Sequence, residues 1–306
     1  MELRVPERIV SLLPAATEMV DVLGARASLV GVTHECDYPA AVRVCPRMTR
    51  TAIDTTADAV TVDAQVRRVA AAGQPLFTLD VVALRAARPD VILTQALCDV
   101  CAVSEDDVRR VAAECDPIPR LVTLKATTLD GMLSDLVYVG EMLSRPKAAA
   151  AWREVAIARM HRVHETLKAA GAPRPRVAVI EWSDPLYAAG HWVPEMVRRA
   201  GGIDMLAMPG AHSVPVSFDA VQSADPELIL IAPCGYDLPR AVAEAQRLRM
   251  HPDWAWARSR RWAALDANAL LSRPGPRLID GIEAIAYAVA PKLFPLPSSD
   301  HLALLT

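Results

Sequence analysis

Short apolar runs alternate with amphipathic stretches along this chain, and the alternation predicts a parallel α/β fold. Arg8–Leu13, Leu29–Thr33 and Val91–Thr94 have the length and the continuous apolarity of buried parallel strands. The stretches Ala15–Leu23 and Asp80–Ala87 have helical spacing and end close to a glycine or a proline. Strands that alternate with helices in this way favour a parallel-rich sheet.

The longest helical pattern runs from about Thr128 to Ala170. Ser144 and Pro146 are typical of a helix start, and Gly171 is typical of a stop. A helix over 146–170 would be roughly 37 Å long. That length would let it run along two lobes, and an ordinary core helix within one sheet is the alternative. The larger apolar residues of its predicted buried stripe are Trp152, Val155, Met160, Val163 and Leu167.

The order of elements before the long helix recurs after it. Arg176–Glu181 resembles Arg8–Leu13, and the segment 218–230 repeats the pattern of the segment 79–93. Such a repeat indicates two similar α/β lobes, although any α/β protein contains look-alike units. We therefore expect an N-terminal lobe at 1–125, a helical linker with the long helix at 126–172 and a C-terminal lobe at 173–306, with a ligand cleft between the lobes.

Composition narrows the class of protein. The chain has 306 residues, of which 52% are hydrophobic and 23% are charged, so it can bury a large core. Its net charge of −3 and the lack of a basic run give no reason to expect nucleic-acid binding. No apolar run reaches the ~20 residues that cross a bilayer, and we expect no direct membrane insertion. Without a leader or a lipidation cysteine, we expect a cytoplasmic protein.

Polar and aromatic side chains concentrate after four of the predicted strands. Ligands of parallel α/β sheets bind beyond the carboxyl ends of the strands, so these segments form the candidate site. Aromatic side chains there would suit a large, flat, partly apolar ligand, and packing between the lobes without a ligand is the alternative. The residues are His34, Glu35, Cys36, Asp37 and Tyr38; Gln95, Cys98, Asp99 and Cys101; Glu181, Trp182, Asp184, Tyr187, His191 and Trp192; and Cys234, Tyr236 and Asp237.

The cysteines and histidines raise the question of a metal. Cys98 and Cys101 have the spacing of a redox pair or of half a zinc site. Further ligands would come from His34, Cys36, His191 and Cys234 if their loops converge. Thiols without a metal that line a cleft, and a redox disulfide, are the alternatives. We expect His161 and His164, on the long helix, at the surface or in packing contacts.

The C-terminal part adds one more candidate. Trp262–Leu271 predicts a strand with its turn, and 272–277 leads into a helix over Leu278–Val289. Arg277 starts this helix, where a cation opposes the helix dipole. A ligand amide or carboxylate would hold it there, or a surface salt bridge would.

An ordered set of eight motifs runs along the chain: Ser11–Glu18, Gly31–Thr33, Asp37–Pro39, Pro89–Ile92, Glu181–Pro185, Ala200–Gly202, Ala232–Asp237 and Arg273–Arg277. This set resembles the cobalamin- and iron-siderophore-binding proteins that serve ABC importers. The set covers roughly residues 8–290 and is closest to the cobalamin-binding branch, in its leaderless cytoplasmic-type members. The resemblance implies two α/β lobes joined by one rigid helix, with the ligand held between them. Importer-linked members carry a leader or a lipid anchor, which puts a partnership with an ABC permease in doubt here.

The chemistry of these residues favours a corrinoid, which has flat apolar faces, a rim of amides and a cobalt with two axial positions. His34 or His191 suits an axial position, because neutral imidazole is a good cobalt ligand. A ferric siderophore is usually anionic and would need several arginines in these loops. The loops lack arginines, which favours the near-neutral corrinoid. The residues assigned to the faces are Tyr38, Trp182, Tyr187, Trp192 and Tyr236, and those assigned to the amides are Gln95, Asp184, Asp237 and Arg277.

We therefore expect non-catalytic binding of a small-molecule corrinoid, cobalamin, for sequestration, sensing or delivery. One alternative is a metal- or thiol-dependent enzyme acting in the same cleft. The other is binding of another metal chelate, such as haem or a ferric siderophore, or of a bare metal ion such as zinc.

Overall fold

The computed structural model describes residues 5–96 and 103–305, and the chain divides into two compact units. The N-terminal unit comprises Met1–Ala126 and Asp130–Glu154, and the C-terminal unit comprises Thr127–Leu129 and Val155–Thr306. Each unit combines a parallel-rich sheet with helices. The predicted two-lobe α/β class is therefore confirmed.

A parallel sheet of four strands, in the order β2-β1-β5-β6, forms the centre of the N-terminal unit. Its inner strand β1 is buried along its whole length, as expected of a parallel strand covered on both faces. A separate antiparallel pair is formed by β3 and β4. The strands are β1 (Ile9–Ser11), β2 (Leu29–Val32), β3 (Thr49–Thr51), β4 (Phe77–Leu79), β5 (Val91–Gln95) and β6 (Arg120–Leu124).

The helices of this unit begin where side chains can accept hydrogen bonds from the first turn. Asp58, Asp80 and Ser104 each accept a bond from the backbone N–H three residues further on. A cap of this kind stabilises a helix by about 1 kcal/mol. The helices are α1 (Pro14–Val22), α2 (Ala59–Ala71), α3 (Val81–Ala87), α4 (Glu105–Ala113) and α5 (Leu129–Met142).

The predicted helical stretch over 128–170 is two helices, α5 and α6 (Pro146–Ala169). Ser144 has a positive φ of 57°, and the Arg145 N–H donates to Gly140 O, which closes the end of α5. The 24 residues of α6 span about 36 Å, and α6 crosses the division between the units at Glu154. Of the predicted stripe, Met160 and Val163 are buried and Trp152 and Leu167 are partly buried. The prediction was wrong for Val155, which is 57% exposed. The buried residues are Ala149, Ala156, Met160 and Val163, which share one face at helical spacing.

The C-terminal unit contains the larger sheet. Strands β7, β9, β11 and β12 pair in parallel, whereas β8, β10 and β13 pair antiparallel. The strands are β7 (Arg176–Ser183), β8 (Leu186–Ala188), β9 (Ile203–Asp204), β10 (Val214–Pro215), β11 (Leu228–Ile231), β12 (Arg261–Leu265) and β13 (Leu302–Leu305). The helices are α7 (Val193–Arg199), α8 (Phe218–Ser223), α9 (Leu238–Met250), α10 (Ala267–Leu270) and α11 (Leu278–Val289).

The internal repeat predicted from the sequence has a counterpart in the topology. The parallel strands of the N-terminal unit lie in the order β2-β1-β5-β6, and those of the C-terminal unit in the order β9-β7-β11-β12. In each unit the first strand along the chain is flanked by the second and the third. The strands β1 and β7 are the two runs whose sequences resemble each other, so the repeat is structural.

Two sequence predictions in the C-terminal unit were wrong in detail. The strand expected over Trp262–Leu271 ends at Leu265, where Asp266 caps the short helix α10. The loop expected after Ile180 is a β-hairpin, because β7 continues to Ser183 and pairs with β8. None of the helices within 5–96 and 103–305 is long and apolar enough to cross a membrane.

Candidate functional site

His34 follows the carboxyl end of β2 and is held by two threonines. Its Nδ1 lies 2.7 Å from Thr49 Oγ1, which also accepts a bond from the His34 backbone N–H and lies 2.7 Å from Thr33 Oγ1. Its Nε2 is buried and has no hydrogen-bond partner among the described residues. Burial and the nearby Arg47 guanidinium lower the pKa of His34, so the ring is neutral at pH 7.

Cys36 is buried below this loop, with 1% of its surface exposed. Its sulfur lies 3.0 Å from Thr17 Oγ1, and this hydroxyl donates to Ser11 Oγ. Arg47 donates to the carbonyls of Thr33 and Cys36, which fixes the backbone between them. The thiol therefore lies in a bonded polar network, and the threonine and arginine partners had no signal in the sequence pattern.

The other described candidates of the N-terminal unit differ in exposure. Tyr38 is 46% exposed, and Gln95 is partly buried at the end of β5. Cys98 and Cys101 lie outside the described residues. Within residues 5–96 and 103–305, no group of three or more His, Cys, Asp or Glu residues could hold a metal ion.

Trp182 and Tyr187 lie opposite each other on β7 and β8 of the C-terminal unit. Direct cross-strand partners project from the same face of a sheet. Both side chains are partly exposed, and Trp182 Nε1–H donates to Asp184 O, which orients the indole. Together with Tyr236 after β11, we name these residues the aromatic cluster.

Tyr236 joins the aromatic cluster through its ring. Its centroid lies 5.8 Å from that of Trp182, with the planes at 71°, an edge-to-face arrangement. The Arg240 guanidinium lies over the Tyr236 ring, with its carbon 3.8 Å from the ring centroid. Tyr236 itself is only 5% exposed, so it supports Trp182 more than it faces solvent.

His191 lies between the hairpin and α7 in a left-handed conformation, with φ of 54°. Its N–H donates to Ala211 O, and its own carbonyl accepts from the Gly210 N–H. Its ring centroid lies 5.1 Å from that of His212. Burial lowers the pKa of His191, with His212 adding to the effect, and Nε2 has no hydrogen-bond partner among the described residues. His212, 21 residues away, could not be found from local spacing.

The Glu181 carboxyl group lies near Ser213 and Gly190, beside the turn that carries His191. Burial raises the pKa of Glu181, while the nearby Ser213 hydroxyl and Gly190 N–H act in the opposite direction. Gly190 is required here by space, because an added Cβ would lie 2.4 Å from the backbone nitrogen of Ser213. The segment at 210–213 therefore packs closely against the turn that carries His191.

The remaining candidates of the C-terminal unit lie in different surroundings. Trp192 is 5% exposed, and its Nε1–H donates to Leu271 O, so the indole has little free surface for a ligand. Asp237 caps α9, and Arg277 occupies the cap position of α11, as predicted. Cys234 and Asp184 are exposed. His161 and His164 are largely exposed on α6, which confirms the surface position expected for them.

Comparison with known proteins identifies the fold. A family model described as a periplasmic binding protein matches residues 9–259. The chain is similar to a periplasmic heme-binding protein from Pseudomonas aeruginosa, with 24% identity, a TM-score of 0.73 and 98% of each chain covered. It is also similar to the periplasmic vitamin B12 binding protein BtuF of Vibrio cholerae, with 19% identity, a TM-score of 0.64, and 93% of this chain and 97% of that chain covered.

A third similar structure is an ABC-type Fe3+-hydroxamate transport system protein from Saccharomonospora viridis, with 19% identity, a TM-score of 0.64 and 93% of each chain covered. The chain matches none of the curated proteins at a significant level. Identities below 25% establish the shared fold only, so the ligand must be argued from the side chains.

Proposed function

The chain belongs to the periplasmic binding protein family, and we propose that it binds a corrinoid of the cobalamin type without transforming it. The ligand would lie against the carboxyl ends of the strands, where open α/β sheets bind their ligands. The protein would sequester, sense or deliver the corrinoid. A cytoplasmic location stays a prediction, and cell fractionation followed by immunoblotting tests it.

The observation that carries this proposal is the aromatic cluster. Trp182 and Tyr187 share one face of the hairpin and are both partly exposed, and Tyr236 supports Trp182 from the side. Rings arranged in this way offer a preformed surface to a flat, apolar macrocycle. The exposed Asp184 and Asp237 lie near the same edge and would accept bonds from the amides of a corrin rim.

His34 and His191 support the axial part of the proposal. Both have lowered pKa values, so both are neutral at pH 7, which is the form that ligates a metal. The contact of His34 Nδ1 with Thr49 is of the kind that orients a ligating imidazole from its far side. We assign one of these histidines to the cobalt.

Haem is the second candidate ligand, because a heme-binding protein from Pseudomonas aeruginosa shares this fold, as the vitamin B12 binding protein does. Haem also has flat faces and axial positions, so the aromatic cluster and the histidines would serve it equally. The two ligands differ at the rim, which carries amides in cobalamin and carboxylates in haem.

One titration separates these ligands. The purified protein is titrated with aquocobalamin, methylcobalamin and haemin, and the visible spectrum is followed. We expect aquocobalamin to bind, with a spectral shift that is lost in His34→Gln or in His191→Gln. Binding of haemin alone would establish the second candidate, and binding of neither would refute the proposal.

The alternative that the protein binds a bare metal ion such as zinc is tested separately. Zinc in the untreated protein, measured by elemental analysis and lost in a Cys98→Ser, Cys101→Ser double variant, would show that these cysteines hold a metal. Protein without bound metal that still binds aquocobalamin would separate the corrinoid site from any zinc site.

A further inference from the structure

Arg240 occupies an electrostatically unfavourable place beside the aromatic cluster. It is the third residue of α9, and its N–H is bonded by the Asp237 cap. The amino end of a helix has positive character, and a cation there costs about 0.3–1 kcal/mol. By contrast, the first turn of α4 carries Glu105, Asp106 and Asp107. A favourable local interaction is therefore expected to offset the electrostatic cost of Arg240.

The Tyr236 ring provides such an interaction. The Arg240 guanidinium carbon lies 3.8 Å from the ring centroid, a distance at which a cation is attracted to the π face by about 0.5–1 kcal/mol or more. Tyr236 in turn contacts Trp182 edge to face. The three side chains therefore contact one another in sequence, from Arg240 through Tyr236 to Trp182, which is partly exposed on the hairpin.

The backbone of the Tyr236 loop is fixed by other groups. The Cys234 N–H donates to Glu181 O and the Gly235 N–H donates to Ser272 Oγ. The carbonyl of Tyr236 accepts from the Asn268 N–H. Loss of the guanidinium would therefore leave the backbone of the loop in place and would remove one contact that orients the Tyr236 ring.

We propose that Arg240 is a positioning residue, which holds the Tyr236 ring and through it the Trp182 indole in the orientation that receives the flat face of the ligand. The inference rests on the proposed function, because it specifies how the aromatic cluster is preorganised. A preformed surface binds more tightly because less ordering is needed on binding.

The first test compares two matched variants of the same helix. Arg240→Gln removes a cation from the amino end of α9, and Arg249→Gln removes one from its last turn, where a cation is favourable. We expect Arg240→Gln to weaken aquocobalamin binding about 3- to 30-fold without lowering the urea midpoint. Arg249→Gln should lower the midpoint slightly and leave the affinity unchanged. A loss of stability in Arg240→Gln that accounts for its loss of affinity would overturn the inference.

A double-mutant cycle then tests the route of the effect. In a Tyr236→Leu background, Arg240→Gln should cost no further affinity, because the ring through which the arginine acts is absent. An unchanged effect in that background would show that Arg240 contacts the ligand directly and would refute the positioning role. The cycle is run with haemin if haemin is the ligand that binds.

A measurement without ligand keeps the inference separate from the proposed function. The near-ultraviolet circular dichroism of Arg240→Gln should differ from that of the wild type, and Trp182→Phe should remove this difference. A spectrum unchanged by Arg240→Gln would overturn the inference even if cobalamin binds. If the spectrum changes and no ligand binds, the proposed function fails while the positioning of Trp182 stands.

Discussion

Two titratable residues of the C-terminal unit make its stability depend on pH in opposite directions. His191 has a lowered pKa in the folded state, so protonation favours unfolding and its contribution is lost as the pH falls below about 6.5. Asp204 behaves in the opposite way, because burial raises its pKa to about 6. Its carboxylate is then penalised in the folded state, and stability is lost as the pH rises from about 4 to about 6.

Replacing Asp204 by asparagine should therefore stabilise the C-terminal unit at pH 7.5. Asp204 Oδ1 accepts from the N–H groups of Leu206 and Ala207, and an amide oxygen can keep both bonds. The shift corresponds to at most roughly 3 kcal/mol. Urea unfolding followed by tryptophan fluorescence at pH 5 and 7.5 measures it, since five of the six tryptophans lie in this unit. The exposed Asp116→Asn is the control, and equal gains at both pH values would contradict the explanation.

An exposed tyrosine of the N-terminal unit allows a matched test of ligand contact. Tyr38 is 46% exposed after β2, and Tyr138 is 40% exposed on α5. Removal of the ring should cost little stability in either case, because neither side chain is in the core. We expect Tyr38→Ala to weaken aquocobalamin binding about tenfold and Tyr138→Ala to leave it unchanged. Equal affinities of the two variants, measured by spectral titration, would remove Tyr38 from the site.

At the scale of elements, α6 is fastened to α11 by one arginine. Arg159 bonds Glu283 through Nε at 2.9 Å and through Nη2 at 2.5 Å, and Nη2 also bonds Asp280 at 2.6 Å. Two carboxylates on a partly buried guanidinium form a network stronger than an isolated surface pair. This contact ties the second half of the long helix to the core of the C-terminal unit.

Arg159→Gln should lower the free energy of unfolding by about 1–2 kcal/mol. The exposed Arg153→Gln, on the same helix, should change it by less than about 0.5 kcal/mol. Urea unfolding of both variants, repeated at high salt, makes the comparison. An Arg159 variant as stable as the Arg153 variant would show that packing, and not this ion network, holds the two helices together.

The elements also show which features a single sequence can predict. Apolar runs predicted β1, β2 and β5 within about two residues, because a buried parallel strand is apolar on both faces. The hairpin of β7 and β8 was mistaken for a loop, since Trp182, Asp184 and Pro185 resemble loop residues and the pairing depends on a partner strand. Ser144 and Pro146 correctly predicted where α6 begins, but the sequence pattern did not show that Ser144 adopts the left-handed conformation that ends a separate helix α5.

At the scale of the molecule, the repeat and the family could be predicted, whereas the partners of the site residues could not. The recurrence of Arg8–Leu13 at Arg176–Glu181 matches equal strand orders in the two units. Thr49 beside His34, His212 beside His191 and Arg240 over Tyr236 arise from folding, and only Arg240 lies close in sequence to its partner. The cleft expected between the lobes and the domain limits at 125 and 172 stay predictions.

The stability of the whole chain gives the last test of its ligand, because a compound that binds only the folded protein raises the free energy of unfolding by mass action. At a concentration 100 times its Kd, the right ligand should add about 2.7 kcal/mol, or about 5 °C in Tm for a chain of this size.

We expect aquocobalamin to produce this shift in the wild type and a smaller one in Tyr187→Ala. Differential scanning calorimetry measures both proteins alone, with aquocobalamin and with haemin. A shift with haemin only would favour the haem-binding alternative, and an equal shift in the wild type and in Tyr187→Ala would show that the ligand does not use the aromatic cluster.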